Sequence, residues 1–229
     1  MADESKPKSG GGCLTKLVTT IVFAAALGLG VALVFAVLPQ EYPDAGGGEV
    51  SKRDLKLVLK NSVERGYAVT IEEQEVNQWL ARVLEAKQGG VLGGQVELKR
   101  VWVRLGDGVG EVVMEREAFG RRFTVSMFLA VEQTEEDGKV RTQVHLHGGQ
   151  FTDAVQRPMR GGRFGRLVVP QGFLILVLPA FQELADQFDE EIRYGFEEMS
   201  RISIEEGKLV LDPRNPAMEM KGLLPGTTY

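Results

Sequence analysis

The sequence is poor in cysteine and histidine: its 229 residues include one cysteine, Cys13, and two histidines. A single cysteine excludes an internal disulfide, so the fold must be held together by its apolar core. Cys13 follows Gly10-Gly11-Gly12 and not an apolar stretch, which is unlike a lipoprotein acylation site. Two alternatives stay open for it, an unmodified juxtamembrane thiol and a palmitoylated one.

Recognisable catalytic and metal-binding motifs are also lacking. His145 and His147 alternate along a predicted strand and share a face, but zinc normally takes three or four protein ligands, and Asp137 and Asp153 are not at a diagnostic spacing. No Gly-x-Ser-x-Gly motif occurs, and the paired glutamates fall in turns, caps and solvated helix faces. We therefore expect no metal site, no cofactor and no enzymatic activity.

One long uncharged segment is present, from Leu17 to Leu38. At about 1.5 Å per residue, a helix of this length crosses a hydrocarbon core of roughly 30 Å. A cleaved signal peptide is the alternative, with Val34-Phe35-Ala36 as its cleavage site. The apolar cores of signal peptides usually run ~7–15 residues, which favours a retained anchor.

The charges beside this segment indicate its orientation. Lys6, Lys8 and Lys16 precede it, and no Lys or Arg follows until Lys52. Because basic residues near a helix end tend to stay in the cytoplasm, we expect a single-pass protein of the cell membrane with a cytoplasmic N-terminus. The C-terminal domain is then extracytoplasmic, and periplasmic if the host has an outer membrane.

Composition divides the chain into five parts: a cytoplasmic tail (1–16), a transmembrane helix (17–38), a linker rich in Pro and Gly (39–50), an α+β domain (51–212) and an irregular tail (213–229). With about 180 residues beyond the linker, the domain is large enough to fold as one unit.

Helical periodicity begins at the start of the domain. We predict a first helix capped by Ser51 and ended by Gly66, and a second one opened by a capping box of Thr70 and Glu73. Asn77 falls beside the apolar stripe of the second helix. Two alternatives are equally open for it, a partly exposed helix residue and a buried amide bonded to a neighbouring backbone.

The period then changes to two, which predicts an antiparallel meander from Gln95 to Phe151 with one buried and one largely polar face. Leu98 and Val101 are out of phase, which indicates a bulge at Lys99-Arg100. Asp137-Gly138 predicts a hairpin turn. The fold class is thus α+β: a curved antiparallel β-meander packed on two or three amphipathic helices.

The C-terminal part carries an extended stretch from Arg166 to Pro170, then the apolar run Phe173 to Leu178. This run is too short to span a bilayer, so we expect a buried helix or a segment that dips into the membrane surface. A long amphipathic helix from Phe181 to Met199 and a closing hairpin around Gly207 follow.

A local basic patch stands out in a chain of net charge −5. Its arginines recur at every third position, at Arg157, Arg160, Arg163 and Arg166. Arginine grips phosphate oxygens in a fork, so the patch is a candidate for anionic lipid headgroups. The alternative, which the many surface acids favour, is that these arginines form ordinary surface ion pairs. Nucleic acid is not expected, because the patch is extracytoplasmic and has only Phe164 as an interleaved aromatic.

The element order resembles that of a known family, the YpmS-like extracytoplasmic membrane-anchored proteins, which are similar to TULIP/LmeA-like lipid-binding domains. The resemblance rests on the N-terminal anchor, the segment Val69 to Leu80 and the segment Gly165 to Pro170. It implies a curved sheet on helices with an apolar groove, and a role in handling lipids or envelope polymers.

Two functional hypotheses result. In the first, the domain is a non-enzymatic binding module for lipid or another apolar envelope ligand. In the second, it is a structural or assembly component of a cell-envelope protein complex. The residues that would line the interior in the first hypothesis are Trp79, Leu80, Val83, Phe123, Met127, Phe181 and Phe188.

Overall fold

The structure is a computed structural model, and it describes residues 12–43, 51, 53–87, 96–136, 139–146 and 160–214. It confirms the α+β class, with an apolar N-terminal helix followed by antiparallel sheets. The curvature of the meander and the limits of the five segments remain predictions.

The elements follow one another as α1 (Gly12–Val37), α2 (Leu55–Arg65), β1 (Val69–Glu72), α3 (Glu73–Lys87), β2 (Val96–Gly106), β3 (Val109–Ala118), β4 (Arg121–Glu136), β5 (Lys139–Leu146), β6 (Arg160–Phe164), β7 (Leu167–Pro170), a 3-10 helix (Gln171–Leu176), α4 (Leu178–Asp186), α5 (Asp189–Ile192), a π-helical turn (Arg193–Glu197), β8 (Arg201–Glu205) and β9 (Lys208–Asp212).

Helix α1 is long and apolar enough to cross a membrane. The qualifying stretch, Leu14–Val37, has 24 residues and a mean hydropathy of 2.5, and none of it is buried. A signal sequence near an N-terminus would have the same properties, so the structure supports a single-pass anchor only in this general sense.

Two antiparallel sheets follow. The smaller has the strand order β1-β9-β8, and the larger has the order β2-β3-β4-β6-β7, with β5 paired to β4. The predicted bulge is confirmed by a register shift between Leu98 and Arg100. The two predicted hairpins are also present, since Glu136 pairs with Lys139 and Glu205 pairs with Lys208.

Two predicted helix caps are wrong. Asp54, not Ser51, caps α2, and its carboxylate accepts the N–H of Lys56. Thr70 and Glu73 form no capping box, because Thr70 lies in β1 opposite Val210. The Glu73 carboxylate instead accepts the N–H of Leu105 at 2.6 Å. Strand pairing has therefore replaced the local cap. The stop at Gly66 is confirmed by its left-handed φ of 65°.

Asn77 makes the buried backbone bond that was one of its two alternatives. Its Nδ2 donates to the carbonyl of Val103 at 2.9 Å, and its Oδ1 accepts the N–H of Val103 at 2.7 Å. Only 5% of Asn77 is exposed. The side chain therefore completes the hydrogen bonding of β2 on the side away from β3, which joins α3 to the sheet.

The predicted long C-terminal helix is also wrong, since it breaks into α4, α5 and the π-helical turn. The break falls at Phe188, whose φ of −120° is not helical. This residue is buried and its ring lies 5.6 Å from that of Trp79. Pro179 occupies the first turn of α4.

The end of β9 is fixed by a charged cluster. The Asp212 carboxylate accepts hydrogen bonds from Arg214, at 2.9 Å for Nε, and from Arg201, its cross-strand partner on β8. The hydrogen bond from the Arg214 side chain, followed by the Arg201 contacts, lowers the pKa of Asp212 from 3.8 to about 2 despite its burial.

Candidate functional site: the junction of α1 and the large sheet

The chain leaves α1 and runs directly across the outer face of the large sheet. The N–H of Gln40 donates to Oγ1 of Thr124 at 2.9 Å, and Gln40 is itself buried. Arg104 donates through Nη1 to Oε1 of Gln40 and through Nη2 to the carbonyl of Glu41, both at 2.6 Å. The first part of the predicted linker is thus bound to the domain.

An aromatic contact continues this attachment. The ring of Tyr42 meets that of Trp102 edge to face, with 5.4 Å between centroids, and the Arg100 guanidinium lies 5.4 Å from the Tyr42 ring. Trp102 is fully buried, although it points to the face that the sequence predicts to be polar. Segment 38–42 therefore takes part in a second, smaller buried layer outside the main core.

Gly165, in the turn between β6 and β7, sits against the end of α1. Its φ is +55°, and a Cβ at this position would lie 2.5 Å from the carbonyl oxygens of Ala36 and Leu38. The N–H of the next residue, Arg166, donates to the carbonyl of Phe35 at 2.8 Å. Carbonyls in the last turn of a helix have no partner within it, so this turn caps α1 from another part of the chain.

Arginines from three strands surround this junction and pair with two buried glutamates. Glu111 accepts a hydrogen bond from Ser126 Oγ at 2.5 Å, with Arg104 and Arg163 at 3.4 and 3.6 Å. The arginines that face the second glutamate, Glu115, are Arg122 at 3.4 Å and Arg100 at 4.0 Å. Burial makes the charge of a carboxylate costly unless cations accompany it, and these arginines supply them.

The structure places the predicted arginines as follows. Arg157 lies outside the described residues, and Arg160 belongs to β6, where only its backbone is described. Arg163, also in β6, pairs with Glu111, and Arg166 donates to Glu41 at 2.6 Å. Sequence reasoning missed the other members, Arg100, Arg104 and Arg122. Their alternation with apolar residues marked an outer strand face, but nothing in the sequence showed that α1 ends there.

The predicted interior residues meet in one apolar cluster. Trp79, Leu80, Met127, Phe181 and Phe188 are buried, and Val83 and Phe123 pack against them. Trp79 and Val83 also reach the surface, where they line an open depression of about 390 Å³ together with Arg53, Asp54 and Arg82.

The apolar run after β7 forms the 3-10 helix, and most of its side chains face outward. Leu174 is buried, whereas Phe173, Ile175 and Leu176 are 55, 71 and 73% exposed. Leu174 closely approaches Gly161 and Gly162 of β6, where no larger residue would fit without a shift. The helix is thus held on the hairpin that caps α1, with three apolar side chains directed away from the core.

Among the described residues, no group of three His, Cys, Asp or Glu side chains is placed to hold a metal ion. The side chain of His145 and all of His147 lie outside that part of the chain.

Comparison with known proteins gave no relative. No family model matches the chain, and no curated protein and no solved structure matches it at a significant level. The resemblance to the YpmS-like and TULIP/LmeA-like proteins therefore stays a prediction.

Proposed function

We propose that this chain is a single-pass membrane protein whose domain lies outside the cytoplasm and binds lipid at the membrane surface without catalysing a reaction. Two features support membrane attachment with this orientation: the apolar helix α1, and the lysines that precede it without counterparts immediately after it.

The main support for lipid binding comes from the exposed apolar side chains of the 3-10 helix. Phe173, Ile175 and Leu176 are attached, through Leu174, to the hairpin that caps α1. Strand β7 between the hairpin turn and this helix has four residues, which is about 13 Å of extended chain. If α1 crosses the membrane, these side chains lie within reach of its surface, where burying them in lipid is favourable.

The packing of the apolar cluster favours lipid at the surface over lipid enclosed in the core. The seven predicted interior residues contact one cluster of side chains, and the rings of Trp79 and Phe188 lie 5.6 Å apart. The open depression beside Trp79 and Val83 adds a place where acyl chains would meet apolar surface next to two arginines.

Native mass spectrometry of the full-length chain, purified in mild detergent, tests the proposal by detecting retained lipid. We expect lipid on the native chain and a marked loss in Ile175→Ser/Leu176→Ser. The matched control is Leu57→Ser/Val144→Ser, which changes two exposed apolar residues on α2 and β5. Equal lipid retention by the two double variants would contradict the proposal.

A structural role in an envelope complex is the second candidate. Among the described strands, β5 pairs only with β4, and Val144 on β5 is 47% exposed. An open strand edge is a common docking place for another chain. A protein that co-purifies in stoichiometric amounts, with no retained lipid, would favour this role over the first.

A further inference from the structure

The turn between β3 and β4 carries an aromatic residue in an unfavourable place. Phe119 is 92% exposed, the highest value among the large apolar residues that the structure describes. Its φ is +53°, and it is the one non-glycine residue with a positive φ in the described part of the chain. A bulky side chain in this region strains the backbone.

The hairpin itself does not require a phenylalanine. Ala118 pairs with Arg121, so Phe119 and Gly120 form a two-residue loop, and both have positive φ. Asn-Gly and Asp-Gly are the pairs that relax this kind of turn. Phe119 therefore adds strain and exposed apolar surface with no gain in packing, which is a pattern typical of functional positions.

The turn lies at the same end of the sheet as the end of α1. Strand β4 runs antiparallel to β6, with Val125 opposite Phe164, so the start of β4 lies beside the β6–β7 turn. That turn caps α1 through Arg166 and Phe35. Phe119 thus projects from the end of the sheet to which the apolar helix is fixed.

Cations accompany the aromatic ring. Arg121 and Arg122 directly follow the turn and are exposed, and the side chain of Arg122 is 58% exposed even though it contacts Glu115. Arg166 is 47% exposed at the end of α1. Arginine binds phosphate oxygens in a fork, while its stem tolerates apolar surroundings.

We propose that this end of the sheet contacts the leaflet surface from which α1 emerges, with Phe119 entering the lipid interface and Arg121, Arg122 and Arg166 binding lipid phosphates. The inference rests on the proposed membrane attachment of α1. It adds a second lipid contact, on a surface separate from the 3-10 helix, and it explains why a strained phenylalanine occupies a turn that asparagine would relax.

Fluorescence quenching in lipid nanodiscs tests the contact. The full-length Phe119→Trp variant is reconstituted with phosphatidylglycerol that carries bromine atoms near the start of its acyl chains. We expect several-fold more quenching of its added emission than in the control Leu57→Trp, which places a tryptophan at an exposed position of α2. The native Trp79 and Trp102 are buried and provide a common background. Equal quenching of the two variants would overturn the inference.

A second pair of variants tests the proposed contact between the arginines and lipid phosphates. In the Phe119→Trp background, Arg121→Gln/Arg122→Gln should reduce the quenching, and Arg65→Gln/Arg193→Gln, which removes the same charge at two other exposed arginines, should leave it unchanged. An equal loss in both variants would show a general charge effect and overturn the assignment. If these arginines bind free phosphate and not lipid, the quenching in Arg121→Gln/Arg122→Gln will equal that of the Phe119→Trp parent, and that result would also overturn the assignment.

A stability measurement separates a functional residue from a structural one. Phe119→Asn should raise the midpoint of thermal unfolding, since it relieves the strain, while it abolishes the contact. A lower midpoint would make Phe119 a structural residue and overturn the inference. A chain that does not enter nanodiscs at all would refute the proposed function as well, whereas a chain that enters them without quenching at position 119 would refute only this inference.

Discussion

The backbone N–H of Arg166 donates to the carbonyl of Phe35 over 2.8 Å, so a turn of the large sheet caps the apolar helix α1. The same turn brings Gly165 against the last carbonyls of that helix, and Gln40 then binds Thr124. The domain is therefore attached to α1 at fixed points along residues 35–42. If α1 spans a membrane as proposed, these fixed points limit the surfaces that the domain can turn toward it.

Gly165→Ala should weaken the attachment of the β6–β7 turn to the end of α1. A Cβ would lie 2.5 Å from two carbonyl oxygens, and the φ of +55° is strained for alanine. We expect faster amide hydrogen exchange at Arg166 and Gln40, whose N–H groups form the junction, and a loss of about 1–3 kcal/mol in the free energy of unfolding.

The matched control is Gly207→Ala. Gly207 has a similar φ of +71°, but nothing lies within 4 Å of the added Cβ. It should lose stability through backbone strain alone and leave the exchange of Arg166 and Gln40 as in the native chain. If both variants speed exchange equally, close approach of Gly165 to α1 is not what holds the junction.

Asn77→Ala should destabilise the domain by about 2–3 kcal/mol, because it leaves the N–H and C=O of Val103 without their side-chain partner in a largely buried place. Urea unfolding of the full-length chain in detergent measures the change. Asn77→Asp keeps the acceptor for the Val103 N–H but sets a buried carboxylate against the Val103 carbonyl, so its loss at neutral pH should be at least as large as that of Asn77→Ala. A cost no larger than that of an exposed helix position, such as Arg65→Ala on α2, would contradict the role of Asn77.

Several of these features could be predicted from the sequence, and the reason is that their signals are local. The bulge at Lys99-Arg100 follows from a change of phase, and the hairpin turn at Gly207 from residue type. The capping box of Thr70 and Glu73 was wrong because Thr70 pairs with Val210 far along the chain, and a local pattern carries no sign of such pairing.

The junction could not be predicted for the same reason. Arg104, Gln40 and Thr124 come from three distant segments, and each is an ordinary polar residue in its own surroundings. The sequence predicted a linker rich in Pro and Gly from residue 39, and this composition says nothing about Gln40 binding across a sheet. Only the pairing of β4 with β6 brings Thr124 beside the Gly165 turn.

Acidic pH should lower the free energy of unfolding of the domain, because it protonates Asp212. The hydrogen bonds from Arg214 and Arg201 lower its pKa to about 2 in the folded chain, from an ordinary value of 3.8. A lowered pKa stabilises the fold above the unfolded pKa, and this stabilisation is lost as the pH falls toward 2. We expect the free energy of unfolding to drop by about 2 kcal/mol between pH 5 and pH 2 from this group.

Asp212→Asn isolates that contribution. Urea unfolding of the full-length chain at a series of pH values should show a shallower decline below pH 4 in this variant, and a lower stability at pH 7. An unchanged slope between pH 4 and pH 2 would mean that Arg201 and Arg214 do not hold the carboxylate ionised in the folded chain.

The orientation of the chain can be tested with its own cysteine. Cys13 is the single thiol and precedes the apolar stretch of α1, so the proposed topology places it in the cytoplasm. A membrane-impermeant maleimide should leave Cys13 unlabelled in intact cells whose outer layers are permeable to the reagent, and should label it after lysis. The complementary variant, Cys13→Ser/Leu57→Cys, moves the thiol to a position that is 55% exposed on α2, away from the proposed lipid contact, and it should be labelled without lysis. Labelling of Cys13 in intact cells would reverse the topology.

If a signal peptidase removes α1, the mature chain would carry no thiol at all, and its mass would report the cleavage directly. The lysine asymmetry predicts the orientation of the chain, and the length of the helix predicts that α1 is retained. Labelling of the native chain and of the double variant tests the orientation, and the mass of the mature chain tests retention.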